Sequence, residues 1–403
     1  MNERNGNQPL CIAYAAGPGD IVNTFSFWKQ GLDDPNQLSV TYSALFFDAC
    51  RSLGARGVAI SSCPRADRTR TERFYVENLP KSEASNPLAF HYQQISYVRQ
   101  VVRKAMEEGA DLLVMSDSTG HFFAFPWFAP RGMALVPTLH CNLWSRFRQL
   151  SPMQRIIRRL NRAVFARRAE ATLAVSPSLV EQIRVMTGGR QRPVHRFHQL
   201  YRPAHFRQIS RPDPAQERFN LLFVGRLETE KGVYDLLRMA ELLRDRGDER
   251  IVIHLCGTGS EERALRDAVA EKRLENRLVV HGFCRQPELV AQINASHACI
   301  VPTRTSFEEG YNKAVVEGLL SGRPVITSTV CVYPELETIS EGIIVVPPDD
   351  VEGYLSATVR LASDIGYYQR MQSASMAGLE AFYDEGSSWK AMLGRIVKEA
   401  ENG

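Results

Sequence analysis

Hydrophobic and polar positions alternate along this chain in two ways that follow one another from end to end: compact apolar runs rich in Val, Ile, Leu and Phe, and longer stretches with an apolar residue at every third or fourth position. The compact runs have the length of buried strands, and the periodic stretches carry the stripe of helices that cover them. Strand and helix in alternation predict an α/β architecture on parallel sheets, not a sandwich or a bundle. In the first half, strands are expected at Leu10–Ala15, Gly57–Ser61, Leu112–Met115, Ala134–Thr138 and Thr172–Val175. In the second they are expected at Asn220–Val224, Ile251–Cys256, Leu278–Val280, Ala298–Val301, Pro324–Thr327 and Ile343–Val345. Each set suffices for a sheet of its own.

Between the sets, Tyr201–Arg218 holds Pro203, Pro212 and Pro214 with few apolar residues and reads as an inter-domain connection. The domains are therefore expected at residues 1–215 and 216–382. In the remaining stretch, 383–403, Trp389, Met392, Leu393, Ile396 and Val397 recur at helical spacing, so it should form an amphipathic helix packed on another element.

Length agrees with this division, since 403 residues exceed one ordinary core and match two. A content of 44% apolar and 23% charged residues belongs to a chain that folds throughout. Met1–Pro9 is polar, without the cationic leader and apolar run of a secretory signal, and no segment approaches the roughly 18 apolar residues of a membrane helix. Eight cysteines stand singly, with neither a CxxC pair nor a Cys/His zinc spacing, and read as reduced core thiols. The expectation is a cytoplasmic protein. Its net charge of +4 hides an asymmetry: residues 1–217 hold 28 Lys/Arg against 17 Asp/Glu, so the first half is the one to meet an anionic partner.

Two segments carry candidate chemistry. In Phe223-Val224-Gly225-Arg226-Leu227-Glu228-Thr229-Glu230-Lys231-Gly232 a strand runs into a turn and then a helix. That turn sets Arg226 and Lys231 at the carboxyl edge of a parallel sheet beside a helix N-terminus, where anionic ligands bind; a guanidinium with an ammonium suits a diphosphate. In the second segment, from Phe307 to Ile326, Glu309 and Glu317 stand eight positions apart, a little over two helical turns, so both could face one way if a helix starts near Asn312. Gly310 lets the backbone approach a ligand, and Glu317 could accept hydrogen bonds from a vicinal diol such as ribose.

These two segments, in this order and separated by a βαβ-like stretch with Cys256-Gly257-Thr258-Gly259 and His281-Gly282-Phe283, resemble retaining glycosyltransferases of family 4 over roughly residues 172–400. The resemblance implies the GT-B fold, two facing Rossmann-like domains with parallel sheets and an interdomain cleft, with the C-terminal helix crossing back to the first domain. It further implies that Arg226 and Lys231 bind the donor diphosphate, Glu317 the nucleotide ribose and Glu309 the transferred sugar. The backbone of Gly310, Tyr311, Asn312 and Lys313 would hold sugar and diphosphate, Gly225 would lie beneath them, and Gly282 and Phe283 would lie near the base. Two departures stand out: Asn312 replaces a glycine of the family pattern and bears on sugar choice, and Leu200-Tyr201-Arg202-Pro203 replaces the usual Asn-Gly-Val-Asp.

The first half matches more loosely. Gly17 and Gly19, after the first strand, occupy the place of a glycine-rich loop facing the donor phosphate, and His140 ends a strand where many members set a histidine beside the sugar. Asp117 and His121 follow another strand and could line the acceptor site. No DxD motif ends a strand, so a metal-independent enzyme without cofactor is expected, its partners a nucleotide sugar and a glycan or lipid-linked acceptor. The arginine-rich stretch Arg146–Arg168, interleaved with Ile156, Ile157, Leu160, Val164 and Phe165, either lies on an anionic membrane as a basic amphipathic helix or packs on the core with a solvated basic face. Nucleic acid is not an expected partner, because no aromatic-interleaved basic motif is present. A nucleotide-sugar epimerase, a phosphorylase or a catalytically silent binding subunit on the same architecture are the alternatives.

Overall fold

Val, Ile and Leu runs without polar interruption become strands only where both faces can be covered, and the chain meets that condition twice. The computed structural model describes residues 9–116, 119–213, 217–307, 309, 311–331 and 340–402. Among these, a first sheet is built from β1 (Cys11–Ala15), β2 (Arg56–Ser61), β3 (Asp67–Arg70), β4 (Phe74–Asn78), β5 (Leu112–Ser116), β6 (Ala134–Leu139), β7 (Thr172–Ala174) and β8 (Val194–Arg196). Its order is β3-β4-β2-β1-β5-β6-β7-β8, parallel except for the β3–β4 hairpin. A second sheet holds β9 (Phe219–Val224), β10 (Ile251–Cys256), β11 (Leu278–Gly282), β12 (Ala298–Val301), β13 (Val325–Ser328) and β14 (Ile343–Val346), all parallel, in the order β11-β10-β9-β12-β13-β14. Every strand anticipated from the pattern is present. Those not anticipated are β3, β4 and β8, of which β3 and β8 are sheet edges; the Asp67–Arg70 strand is mostly exposed and has no apolar run to betray it.

Both sheets reverse their strand order once, between β1 and β5 and between β9 and β12, and open α/β sheets take ligands beyond the carboxyl ends of the strands at such points. The two reversal points face one another. Lys313 Nζ, on the second-sheet side, donates to Gln37 Oε1 at 3.2 Å and Ser39 Oγ at 3.1 Å, Gln286 N–H donates to Pro35 O at 2.9 Å, and Asn142 Nδ2 to Glu309 O at 3.5 Å.

The chain crosses between the sheets twice. In the first crossing, Tyr201 and Phe206 pack with Leu319, Val330, Leu379 and Phe382, so buried aromatic residues anchor this half of the proline-bearing connection; residues 214–216, where the boundary was expected, lie outside the described residues. In the second, the helix Trp389–Asn402 returns to the first core, with Trp389, Leu393, Ile396 and Val397 buried against it, each such side chain contributing about 1.5–3 kcal/mol. No helix among the described residues is long and apolar enough to cross a membrane.

Candidate active site

On the second-sheet side the site begins where β9 ends. Gly225 and Arg226 leave the strand, and a tight turn at Thr229–Lys231 precedes the helix Val233–Asp245. Gly232 closes that turn at φ +78°, and a Cβ there would fall 2.1 Å from Pro302 O, so only glycine lets this turn lie against the end of β12. The close approach carries Lys231 to the residues beyond β12: its Nζ lies 2.5 Å from Glu309 Oε1, which also accepts from Thr303 Oγ1 at 2.9 Å, and 4.4 Å from the Phe307 ring centre. Lys231 and Glu309 are only 13% and 11% exposed, so the pair sits in a wall of the cleft. Arg226 is open to solvent, its nearest carboxylate Glu230 at 3.6 Å, a surface pair of little energetic weight.

Glu317 lies on the helix Lys313–Leu320. Glu309 precedes that helix, so the expectation that two turns of one helix align both carboxylates fails: tertiary folding brings each to a different wall. A cavity of about 300 Å³ lies between Glu317 and the ends of β9 and β10, with Gly225, Arg226, Thr258, Phe283, Lys313 and Glu317 in its lining. Burial pushes the Glu317 carboxyl up to about 7, although the Lys313 cation and the Tyr201 hydroxyl both pull it down. Burial lowers the Lys313 ammonium in turn, and Glu317 and Asp34 partly restore it. Phe283, 53% exposed, stands at the cavity edge with a free ring face.

Across the cleft, His140 follows β6 directly, with its ring 4.1 Å from that of Tyr42. Burial, with the Lys313 charge acting in the same direction, pushes the imidazole down to about 3, so it is neutral. Its Nε2 lies 3.2 Å from Thr138 Oγ1, and that hydroxyl also accepts from Trp389 Nε1 at 2.9 Å. A threonine hydroxyl has one proton and two lone pairs, so beside the indole donor it can either donate to or accept from His140 Nε2. The other ring nitrogen, Nδ1, is a buried atom with no hydrogen-bond partner among the described residues. A second cavity of about 300 Å³ opens beside it, reaching from Phe307 past His140 and Asn142 to Trp144 and Arg158.

The residues singled out from sequence divide accordingly. Gly225, Arg226, Phe283, Lys313 and Glu317 share one cavity, His140 lines the other, and Lys231 and Glu309 stand in contact. Gly282, at φ +83°, ends β11 beside Phe283. Asn312 is 5% exposed; its side chain caps the helix by accepting from Val315 N–H at 3.2 Å and reaches Cys331 Sγ at 3.5 Å, so it does not point at a sugar. Tyr311 is packed against both domains' cores, leaving only its backbone for a ligand. Gly17 and Gly19 lie outside both cavities, with open space before their Cα atoms. His121 is a correction: it is 1% exposed, engaged by His91 at 2.9 Å and Thr119 at 2.7 Å, and it is Thr119 and Gly120 that reach the cavity. Asp117 and Gly310 lie outside the described residues.

With this geometry, two family models match the chain: "Glycosyltransferase Family 4" over residues 45–205 and "Glycosyl transferases group 1" over residues 218–364, one for each half. The chain belongs to the group 1, family 4 glycosyltransferases. Among relatives of this glycosyltransferase is the glycogen synthase of Mycobacterium tuberculosis, 28% identical over 164 residues, 41% of this chain and 39% of that protein. The chain thus aligns with about two fifths of the length of that relative. Among solved structures, sucrose-phosphate synthase from Thermosynechococcus elongatus superposes with a TM-score of 0.71 at 15% identity, covering 98% of this chain and 99% of that one. HepE of Anabaena, solved with UDP and glucose, gives 0.63 at 15% identity over 97% and 99%. At such identities the likeness shows the two-domain GT-B fold.

Four parts of this glycosyltransferase's site escaped the sequence reading. Thr303 and Phe307 flank the Glu309 segment without any pattern of their own, Trp144 precedes the arginine-rich stretch in a loop, and Trp389 was read only as a packing residue.

Proposed function

We propose that this chain transfers a sugar from a nucleoside-diphosphate sugar to a glycan or lipid-linked acceptor, with retention at the anomeric carbon and without a metal. The observation that carries the reading is the contact of Lys231 with Glu309 beside Phe307, whose ring meets both Lys231 and Arg226 and lines the His140 cavity while Arg226 lines that of Glu317. The diphosphate would lie against Arg226, Lys231 and the free N–H groups that start the helix Lys313–Leu320, with the ribose diol donating to Glu317 and the base on the Phe283 ring. The sugar would then sit between Glu309, accepting from one hydroxyl, and the wall that His140 lines.

As the bond from the anomeric carbon to the phosphate oxygen breaks, negative charge collects on the departing phosphate, where Lys231 and Arg226 oppose it; fixed charges in a closed site act more strongly there than in water. The acceptor hydroxyl bonds to the anomeric carbon on the face being vacated, and its proton passes to the departing phosphate oxygen, so no side chain acts as nucleophile. Donor turnover measured with and without acceptors, on wild type and on Glu309→Gln, tests this. A wild type that neither binds nucleoside diphosphates nor consumes any nucleotide sugar sinks the reading, and acceptor-free conversion of one nucleotide sugar to its epimer replaces it.

The arginine-rich stretch supports a peripheral site at an anionic membrane surface. Its helix spans Pro152–Ala163, and Asn161 is its one fully buried residue; Ile156 and Leu160 are 53% and 39% exposed beside Arg155, Arg159 and Arg162. A core-packed helix does not account for that apolar exposure, whereas a bilayer interface with anionic headgroups takes both side-chain types. Arg158 turns inward to the cavity and Arg168 holds Pro130 O and Met133 O, so neither belongs to this outer face. Reversing Arg155, Arg159 and Arg162 to Glu should abolish sedimentation with phosphatidylglycerol vesicles; unchanged sedimentation rejects the membrane contact.

A further inference from the structure

The helix Pro152–Ala163 has a second, inward face. Gln154, Ile157, Arg158 and Asn161, spaced at one helical stripe, line the cavity beside His140. Of the residues in that lining, Arg158 is the one with a full charge, and the described lining includes no carboxylate. Its guanidinium lies 4.4 Å from the centre of the Trp144 ring, and among the described residues it makes neither an ion pair nor a hydrogen bond. Other arginines nearby are engaged: Arg155 donates to Leu150 O at 3.1 Å, Arg168 to Pro130 O at 2.9 Å, and Arg146 to Thr329 O across the cleft.

A guanidinium seated over an indole ring spends no N–H group on that contact, and its N–H fork matches two oxygens of a phosphate better than any neutral hydroxyl. The neighbouring Asn161 cannot supply this recognition, because its side chain is spent on Gly120 O at 2.7 Å and Phe123 N–H at 2.9 Å. Resting on the glycosyl-transfer reading above, we infer that the acceptor carries a phosphate group, bound by Arg158 on the Trp144 ring, while its attacking hydroxyl points back toward His140. That phosphate belongs to a sugar monophosphate or to the pyrophosphate of a lipid carrier; both present the same oxygens to the guanidinium.

Titration calorimetry with protein held in UDP, ADP or GDP separates the cases, using glucose, glucose 6-phosphate, inorganic phosphate and polyprenyl pyrophosphate in detergent micelles. The phosphate-bearing compounds should bind at least tenfold tighter than glucose, with Arg158→Gln cutting that preference tenfold or more and Arg158→Lys, a point charge without the stacked fork, retaining part of it. Tighter binding of glucose 6-phosphate assigns the phosphate to a free sugar, and tighter binding of polyprenyl pyrophosphate assigns it to a carrier lipid. A preference unchanged in Arg158→Gln, or a loss of nucleoside diphosphate affinity in its place, overturns the assignment while leaving the donor reading intact. If none of the three nucleoside diphosphates binds wild type, the donor reading falls first and this inference with it.

Discussion

The cavity of Glu317 and the cavity of His140 have the same size, yet they are assembled in opposite ways. The first takes its charged residues, Arg226, Lys313 and Glu317, from the two segments that follow β9 and β12, and completes its walls with Thr258, Phe283 and Gln37. The second takes the continuous run Thr138–Ser145 at and after the end of β6, with residues from the loop after β5, the helix Pro152–Ala163 and the Phe307 loop of the other domain. A ligand group such as a diphosphate, gripped by one strand–turn–helix unit, leaves a local spacing in the chain. A site whose walls are loops on a common scaffold leaves none, since loops are free to vary while the sheet positions them.

Substitutions on the two sides should therefore fail differently. The largest effect is expected for Lys231→Ala, which removes the cation at the leaving phosphate: kcat/KM should drop about 10²–10³-fold, and nucleoside diphosphate affinity at least about tenfold. Unchanged nucleotide affinity in calorimetry would take the diphosphate away from the first cavity altogether.

A pH series sharpens the same side. The Glu317 carboxyl is raised in the folded chain from 4.5 to about 7, so folding favours its neutral form; that contribution is fully present below pH 4.5 and is lost as pH rises through 7. Ribose recognition needs the ionised form as acceptor, so donor affinity should rise toward pH 8 and fall about tenfold per unit below 7, while Glu317→Gln flattens the profile. A flat wild-type profile across pH 6–8 removes Glu317 from the ribose.

The smallest effect belongs to the far side. Trp389→Phe keeps most of the buried volume but deletes the indole N–H that Thr138 accepts, at a cost of about 1–2 kcal/mol in stability. Because the Thr138 hydroxyl that contacts His140 Nε2 then loses the donor that holds it in place, kcat should fall several-fold with KM for donor nearly constant, and the 15N resonance of His140 Nε2 should shift. Loss of stability without any change in the imidazole spectrum would reduce Trp389 to a packing residue.

Much of this protein could be read before folding. All the central strands but β4, and the two-sheet division, follow from apolar runs, because a strand buried on both faces needs apolar residues within a short stretch, while the roles of Arg226, Lys231, Glu309 and Glu317 were carried by the family resemblance. The edge strands β3 and β8 were hidden, since an edge demands little apolar surface. What tertiary structure alone decided is which side chains are spent and which are free. Nothing local to His121 or Asn312 reveals that one is buried against His91 and the other caps a helix, or that Arg158 turns inward while Arg159 faces out. Nor could the spacing of residues 138, 140 and 389 disclose that the last helix returns across the cleft and, through one hydroxyl, orients the imidazole. Contacts between residues hundreds of positions apart have no periodicity along the chain, and they exist only once both cores have closed.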